Sequence, residues 1–298
     1  MNLTLIRTNG MGDVAMALCA AKALRSAGIT VTLQTDPQYA PLARACPHVA
    51  AVITQPGFVT EGAVADLRNA VYGIPDRHQV DAYLDPLLGH EVPTADKTLD
   101  LAVPELDFGF DPDHKVALLH PSTGDPNRTW PIEHWREIAT WLLGQRFTVV
   151  QVGSNRHEKG VADLGVDGVL DYRDRTDFLE FVALCRQADL LVSCDGGPIQ
   201  LAGASAIAIV GLYTVVRGRN RVPFRAQGRF LAVESPCPHF PCYERMQQPG
   251  WSQYAMQRIR SGADDTCSLF RNWCPAFAGH QCDITPTMVK DAIQEALS

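Results

Sequence analysis

The stretch LTLIRTNGMGDVAMALCAAKALRSAGITVTL, residues 3–33, decides the fold. Leu3 to Ile6 is a short apolar run of strand type, and Thr8 to Gly12 is a turn carrying two glycines. Apolar residues then recur at helical spacing at Val14, Leu18, Ala21 and Leu24, until Gly28 stops the helix. Ile29 to Leu33 follows at once as a second strand. Strand, helix and strand joined by short turns is the unit from which parallel, doubly wound sheets are built.

Working outward, Val49 to Thr54 reads as a third strand, and from Gly57 to about Asp113 the periodicity weakens. Pro75, Pro86, Pro93, Pro104 and Pro112 interrupt that region, and its end reads as an interdomain linker. A second alternation follows. It runs through strand Val116 to Leu119, helix Ile132 to Leu143, strands Phe147 to Val152 and Gly168 to Asp171, helix Thr176 to Ala188, and strands Leu190 to Ser193 and Ala206 to Leu212. The expected architecture is α/β, with two Rossmann-like domains facing a central cleft. Residues 1–110 form the first and 111–285 the second, with a Cys-rich tail. An amphipathic helix at 286–298, announced by Thr285 and Pro286, is expected to pack back toward the first domain.

The chain has 298 residues, 46% hydrophobic and 20% charged, with a formal net charge of -7. That balance argues against a general nucleic-acid or bilayer binder, which needs a cationic surface. No apolar run reaches the ~18 residues of a membrane span, and a strand ahead of Gly12 and Asp13 is the wrong layout for an export signal. A cytoplasmic chain is expected, with peripheral association at the inner membrane left open. Nine cysteines are many for a reducing compartment, and five of them, Cys237, Cys242, Cys267, Cys274 and Cys282, crowd the last quarter. Their spacing is looser than the close pairs of structural zinc sites, so metal binding and simple burial stand level.

Ligands of parallel sheets bind at the carboxyl ends of the strands. The turns Thr8 to Asp13, His120 to Trp130, Gly153 to Glu158 and Cys194 to Gln200 are therefore the candidate site. In the first, Gly12 lets a ligand approach the amides that open a helix. Asp13 is either that helix's N-cap or a general base for an acceptor hydroxyl. The second offers the hydroxyls of Ser122 and Thr123 and the cation of Arg128, which can bind phosphate with two donors. The turn S-C-D-G-G-P-I-Q opens a helix after an apolar strand; its amides suit a diphosphate and Asp195 suits a sugar hydroxyl. Trp130 and Pro131 are expected to pack the start of the next helix, and Trp135, Trp141 and Phe181 to pack rather than stack on a ligand. His120 is either a cleft residue or a core histidine. Arg217, Arg219, Arg221 and Arg225 form a basic run that either meets phosphates or is a solvated loop.

The order of G-M-G-D-V at 10–14, H-P-S-T at 120–123, R-T-W-P at 128–131, D-G-G-P at 195–198 and C-D-I-T-P-T-M-V-K-D-A-I at 282–293 resembles glycosyltransferase family 9, which contains the ADP-heptose:lipopolysaccharide heptosyltransferases. The resemblance implies a GT-B fold and inverting sugar transfer that needs no cofactor. ADP-heptose is the favoured donor, and a glycan, lipopolysaccharide core or protein hydroxyl the acceptor. It implies Asp13 as catalytic base, and Ser122, Thr123 and Arg128 on the phosphates. Glu158, in the motif that starts at Gly153, is placed on the nucleoside, and Asp195, Gly196 and Gly197 on the donor, with Gly153 and Gln200 counted among the donor-binding residues. It also implies that Cys237, Cys242, Cys274 and Cys282 match the family's four tail cysteines, which hold iron in its protein-modifying members, with Cys267 extra; structural iron or zinc is expected there.

Three departures stand out. Gly196 replaces a common Thr, Gln200 replaces a common His at the donor turn, and the first half is shorter than is usual. The alternatives are a transferase using a UDP- or GDP-sugar, a catalytically silent nucleotide-sugar-binding protein, and a sugar-nucleotide epimerase of the same fold.

Overall fold

The computed structural model describes residues 1–59, 62–69, 76–121, 128–155, 161–237, 240–241 and 284–298. Their strands form two parallel sheets. The first has the order β3-β2-β1-β4, from β1 (Asn2–Ile6), β2 (Thr30–Gln34), β3 (Val49–Ile53) and β4 (Val64–Asp66). The second has the order β10-β9-β8-β5-β6-β7, from β5 (Val116–His120), β6 (Thr148–Gln151), β7 (Leu170–Asp171), β8 (Leu190–Cys194), β9 (Ala208–Tyr213) and β10 (Phe230–Glu234). Every pairing is parallel, so all carboxyl ends in a sheet lie along one edge.

Register explains the first layer. Leu3 pairs with Val31 and Leu5 with Leu33, which stacks four buried side chains on one face. Helix α1 (Met11–Ser26) crosses from β1 to β2, ending where Gly28 turns the chain at φ +80°. Ten of its residues are buried, among them Val14, Met16, Leu18 and Leu24. At roughly 2 kcal/mol for each large apolar side chain, burial on all sides makes α1 the main source of cohesion in this half.

The irregular region holds more structure than its prolines suggest. Besides β4, it contains α3 (Gln79–Leu88), which follows the short α2 (Ala40–Arg44) in the chain. His78 caps α3, its Nδ1 accepting from the Val80 amide, and Gly89 ends it in a left-handed turn at φ 68°. Pro86 forfeits one bond near the last turn. Val80, Tyr83 and Leu84, buried against α1, hold the helix in spite of it.

In the second half α4 (Ile132–Gly144), α5 (Phe178–Gln187) and α6 (Gly197–Ala202) follow β5, β7 and β8. Trp130 and Trp135 meet edge to face with centroids 5.2 Å apart. Helix α7 (Pro286–Leu297) begins as expected, with Thr285 Oγ1 accepting from the Met288 amide. Its position differs from the sequence reading. It packs on α4, β9 and β10, not toward the first half, because Val289, Ile293 and Ala296 join the core of the second sheet. The Trp130 indole N–H donates to the Ile284 carbonyl at 2.7 Å and ties the approach to α7 there.

The loop after β9 crosses to the first half. His78 Nε2 donates to the Val222 carbonyl at 2.7 Å, and Phe224 lies between the His78 ring, at 4.1 Å, and Lys97 Nζ, at 4.2 Å. Lys97 in turn pairs with Asp81 at 2.7 Å. Burial pushes the His78 imidazole down to about 4 from an ordinary 6.5. Protonation would also remove the acceptor that caps α3. The unfolded chain takes up that proton first, so the stability from neutral His78 is complete above about pH 6.5 and is lost as the pH falls toward 4. The loss is about 3 kcal/mol at ~1.4 kcal/mol per pH unit. Denaturant titrations at pH 7 and 4.5 should show most of this loss, about 2.4 kcal/mol, and His78→Asn, which retains a capping oxygen, should flatten the slope over that window.

Candidate functional site

The site lies where the carboxyl ends of β1 and β8 face each other. Gly10 is the N-cap of α1 at φ 79°, and a Cβ there would stand 2.5 Å from Asp13 Oδ2. Only glycine meets both demands. Asp13 is therefore not the helix cap: it lies in the first turn, and its carboxylate is held by arginines. Arg7 Nη2 contacts Oδ2 at 2.6 Å and Arg221 Nη1 contacts Oδ1 at 3.5 Å. Arg7 also donates to the Leu67 carbonyl at 3.3 Å.

Opposite Asp13 is the turn between β8 and α6. Asp195 is buried, its amide donating to the Leu212 carbonyl at 2.9 Å. Arg128 Nη1 lies 3.3 Å from its Oδ2, so two of the predicted donor-binding groups are together. Gly196 is the extended N-cap of α6. A Cβ on Gly12 would fall 3.2 Å from the Gly197 Cα, and one on Gly197 would fall 2.3 Å from Met11 Cε and 3.0 Å from its Cβ. Gly12 thus lets α1 approach the backbone of α6, and Gly197 makes room for the Met11 side chain. Gln200 is buried, with its side-chain amide donating to the Arg221 carbonyl and its Cγ beneath Gly12. This places it as a support for Arg221.

A cavity of about 360 Å³ opens beside this contact, between Met11, Gln38 and Pro41 of the first half and, in the second, the end of β5, the loops after β6 and β7, and helices α5 and α6. Gly153 and His120 line it. His120 is buried, its Nδ1 3.1 Å from Ser193 Oγ, so it combines the cleft and core readings. Asp174, in the left-handed region at φ 58°, accepts from Ser154 Oγ at 3.0 Å and from Asn155 Nδ2 at 2.8 Å, and forms part of the wall with Arg175. Tyr39 stacks on Phe178 across the halves at 5.8 Å. Sequence reasoning names neither Asp174 nor Arg175. The rule that selects the other turns also selects Tyr172 to Asp177, which follows the strand at 170–171.

The basic run divides. Arg221 reaches Asp13, Arg219 pairs with Asp76 at the surface, and Arg217 lies over the Phe240 ring at 5.8 Å. Arg225 does not reach the cleft. Its guanidinium donates to the carbonyls of Ser205, Ile207 and Arg229, at the amino end of β9, and burial lowers it to about 10. Trp135 packs in the core as expected, whereas Phe181 is buried and also lines the cavity. Ser122, Thr123, Glu158, Cys242, Cys267, Cys274 and Cys282 lie outside the described residues. Cys237 is buried, and its amide donates to Ser235 Oγ at 3.2 Å. Among the described residues no group of three or more His, Cys, Asp or Glu is placed to hold a metal ion. Nor is any helix among them long and apolar enough to cross a membrane.

With this geometry in view, the comparisons with known proteins are specific. The model of "Glycosyltransferase family 9 (heptosyltransferase)" matches residues 21–247. The chain belongs to glycosyltransferase family 9. The matched residues include Arg128 and Asp195 and begin after Asp13, so the position of Asp13 rests on the structure. The lipopolysaccharide core heptosyltransferase OpsX of Haemophilus influenzae is 22% identical over 152 residues, 48% of this chain and 44% of that protein; the match thus spans under half of that relative. A family 9 glycosyltransferase from Veillonella parvula superposes with a TM-score of 0.69 at 13% identity, covering 99% of this chain and 97% of that one. The iron-containing dodecameric glycosyltransferase TibC of enterotoxigenic E. coli H10407 superposes at 0.68 and 15% identity, covering 99% and 78%. These likenesses identify the GT-B fold.

The contact between the helices makes a direct prediction. Gly197→Ala must displace Met11 and should cost about 1–3 kcal/mol in a denaturant titration, the usual cost of overpacking. Gly144→Ala, at a position with open space around it, should be neutral or slightly stabilising.

Proposed function

We propose that this chain is an inverting glycosyltransferase that moves a sugar, heptose from ADP-heptose, to a hydroxyl of a glycan, lipopolysaccharide core or protein acceptor. The observation that carries the reading is the contact of Gly12 with Gly197. It brings the turn that carries Asp13 against the turn that follows Asp195, which supports a base and a donor cradle from opposite halves sharing one cleft. The donor assignment draws support from family membership and from TibC, which has also been solved in complex with ADP-D-beta-D-heptose.

In the proposed step the acceptor oxygen attacks the anomeric carbon from the Asp13 side and gives its proton to the carboxylate. The bond from that carbon to the diphosphate oxygen breaks, and its electron pair leaves with the nucleotide. Arg128 and the amides of Gly196 and Gly197 meet the charge that develops there. The cavity wall of Gly153, Ser154 and Asp174 suits the nucleoside. Gly196 and the inward-facing Gln200 alter the donor turn relative to the common family pattern, which keeps a UDP- or GDP-sugar as the second reading.

The deciding experiment is a calorimetric titration with ADP-heptose, UDP-sugars and GDP-sugars, paired with turnover of Asp13→Asn. Selective binding of ADP-heptose, weakened by Arg128→Ala, is expected, and Asp13→Asn should keep that binding while turnover falls roughly 10²-fold or more. Preference for another nucleotide would move the donor to the second reading, and full turnover by Asp13→Asn would remove the base. The same reading includes a structural iron or zinc at Cys237, Cys242, Cys274 and Cys282, with Cys267 nearby in sequence. Elemental analysis should find about one such ion per chain, lost in Cys274→Ser; a metal-free native protein would leave the cysteines as buried thiols.

A further inference from the structure

The Asp13 carboxylate is gripped from both halves. Arg7, at the end of β1, takes Oδ2 at 2.6 Å, while Arg221, from the loop after β9, approaches Oδ1 at 3.5 Å. Arg221 is buried and anchored. Its carbonyl accepts from Gln200 of α6, and the next carbonyl, of Val222, accepts from His78 of the first half. The arginine on Oδ1 therefore keeps its place only while the donor half is seated on the first.

We propose that Arg221 is a positioning residue for Asp13, supplied by the donor half, so that the carboxylate is aligned toward the acceptor hydroxyl only when the two halves are seated together. This rests on the reading of Asp13 as the base. A guanidinium offers a fixed planar set of donors, and with Arg7 it limits the carboxylate to one rotation about its Cβ–Cγ bond. Near-attack alignment of that kind acts on turnover rather than on donor affinity.

The test is a double-mutant cycle on turnover. Arg221→Met keeps the buried stem and is expected to lower kcat about 10- to 100-fold, with the KM for the donor within about twofold, a loss typical of misplaced catalytic geometry. In the Asp13→Asn background the same substitution should change kcat by less than about twofold, because residues acting as one unit are not additive. Free guanidinium ion should restore part of the Arg221→Met turnover. Arg221→Lys, which keeps both stem and charge, goes through the same cycle and keeps the test open if Arg221→Met does not fold. An equal loss of kcat in both backgrounds, or no loss in either, overturns the proposal. Full activity of Asp13→Asn alone instead overturns the assignment of the base, and so separates the two failures.

Discussion

The opposite halves of this protein meet closely where two residues carry no side chain. A Cβ on Gly12, in the first turn of α1, would crowd the Gly197 Cα at 3.2 Å, and one on Gly197, in the first turn of α6, would displace the Met11 side chain. The rest of the site follows from that contact. It brings the start of α1 to the start of α6, sets Asp13 beside the Asp195 turn, and lets Gln200 reach the carbonyl of Arg221. Had these glycines served only as ligand-binding surface, the helices would stand apart; here their small size is used on the protein itself.

Electrostatics in the site is local rather than global. The chain carries a formal charge of -7, yet its cleft is built around guanidinium groups held by carboxylates: Arg7 and Arg221 with Asp13, and Arg128 with Asp195. Each pair is partly or fully withdrawn from water, where interactions between charges are less screened than at a surface. The fourth arginine of the basic run, Arg225, shows the contrast. It spends its donors on backbone carbonyls at the far end of β9 and fastens a loop instead of meeting a ligand.

The sequence was most informative where one local pattern dictates one structure. The strand, glycine turn and helix around residues 3–28 are of that kind, as are Thr285 and Pro286 ahead of α7 and the apolar runs of the second sheet. Helix α3 was obscured because Pro86 breaks a propensity pattern that burial of Tyr83 and Leu84 against α1 overrides. Strand β4 has three residues, too few for alternation to register, and β10 gains its partner only from β9. At the site, Asp13, Arg128 and Asp195 were legible from their turns after strands, and the structure places all three at the cleft. Arg7 was not, because its reach to a residue six positions on depends on the φ of Gly10. The placement of α7 also escaped, since an apolar stripe says that a helix docks but not on which sheet.

The apolar interior has a thermodynamic consequence. One continuous cluster of buried residues runs from Leu3 and Leu5 through α1 to Ile199, Leu201 and Ile209, and so belongs to both sheets at once. Two Rossmann-like lobes are often pictured as rigid bodies joined by a hinge, each stable alone. Here the four-stranded lobe shares part of its core with its neighbour, so parting the lobes exposes apolar side chains of both to water. Any swing of the lobes away from the seated arrangement carries that cost, and a wide swing costs more than a small one because it uncovers more apolar area.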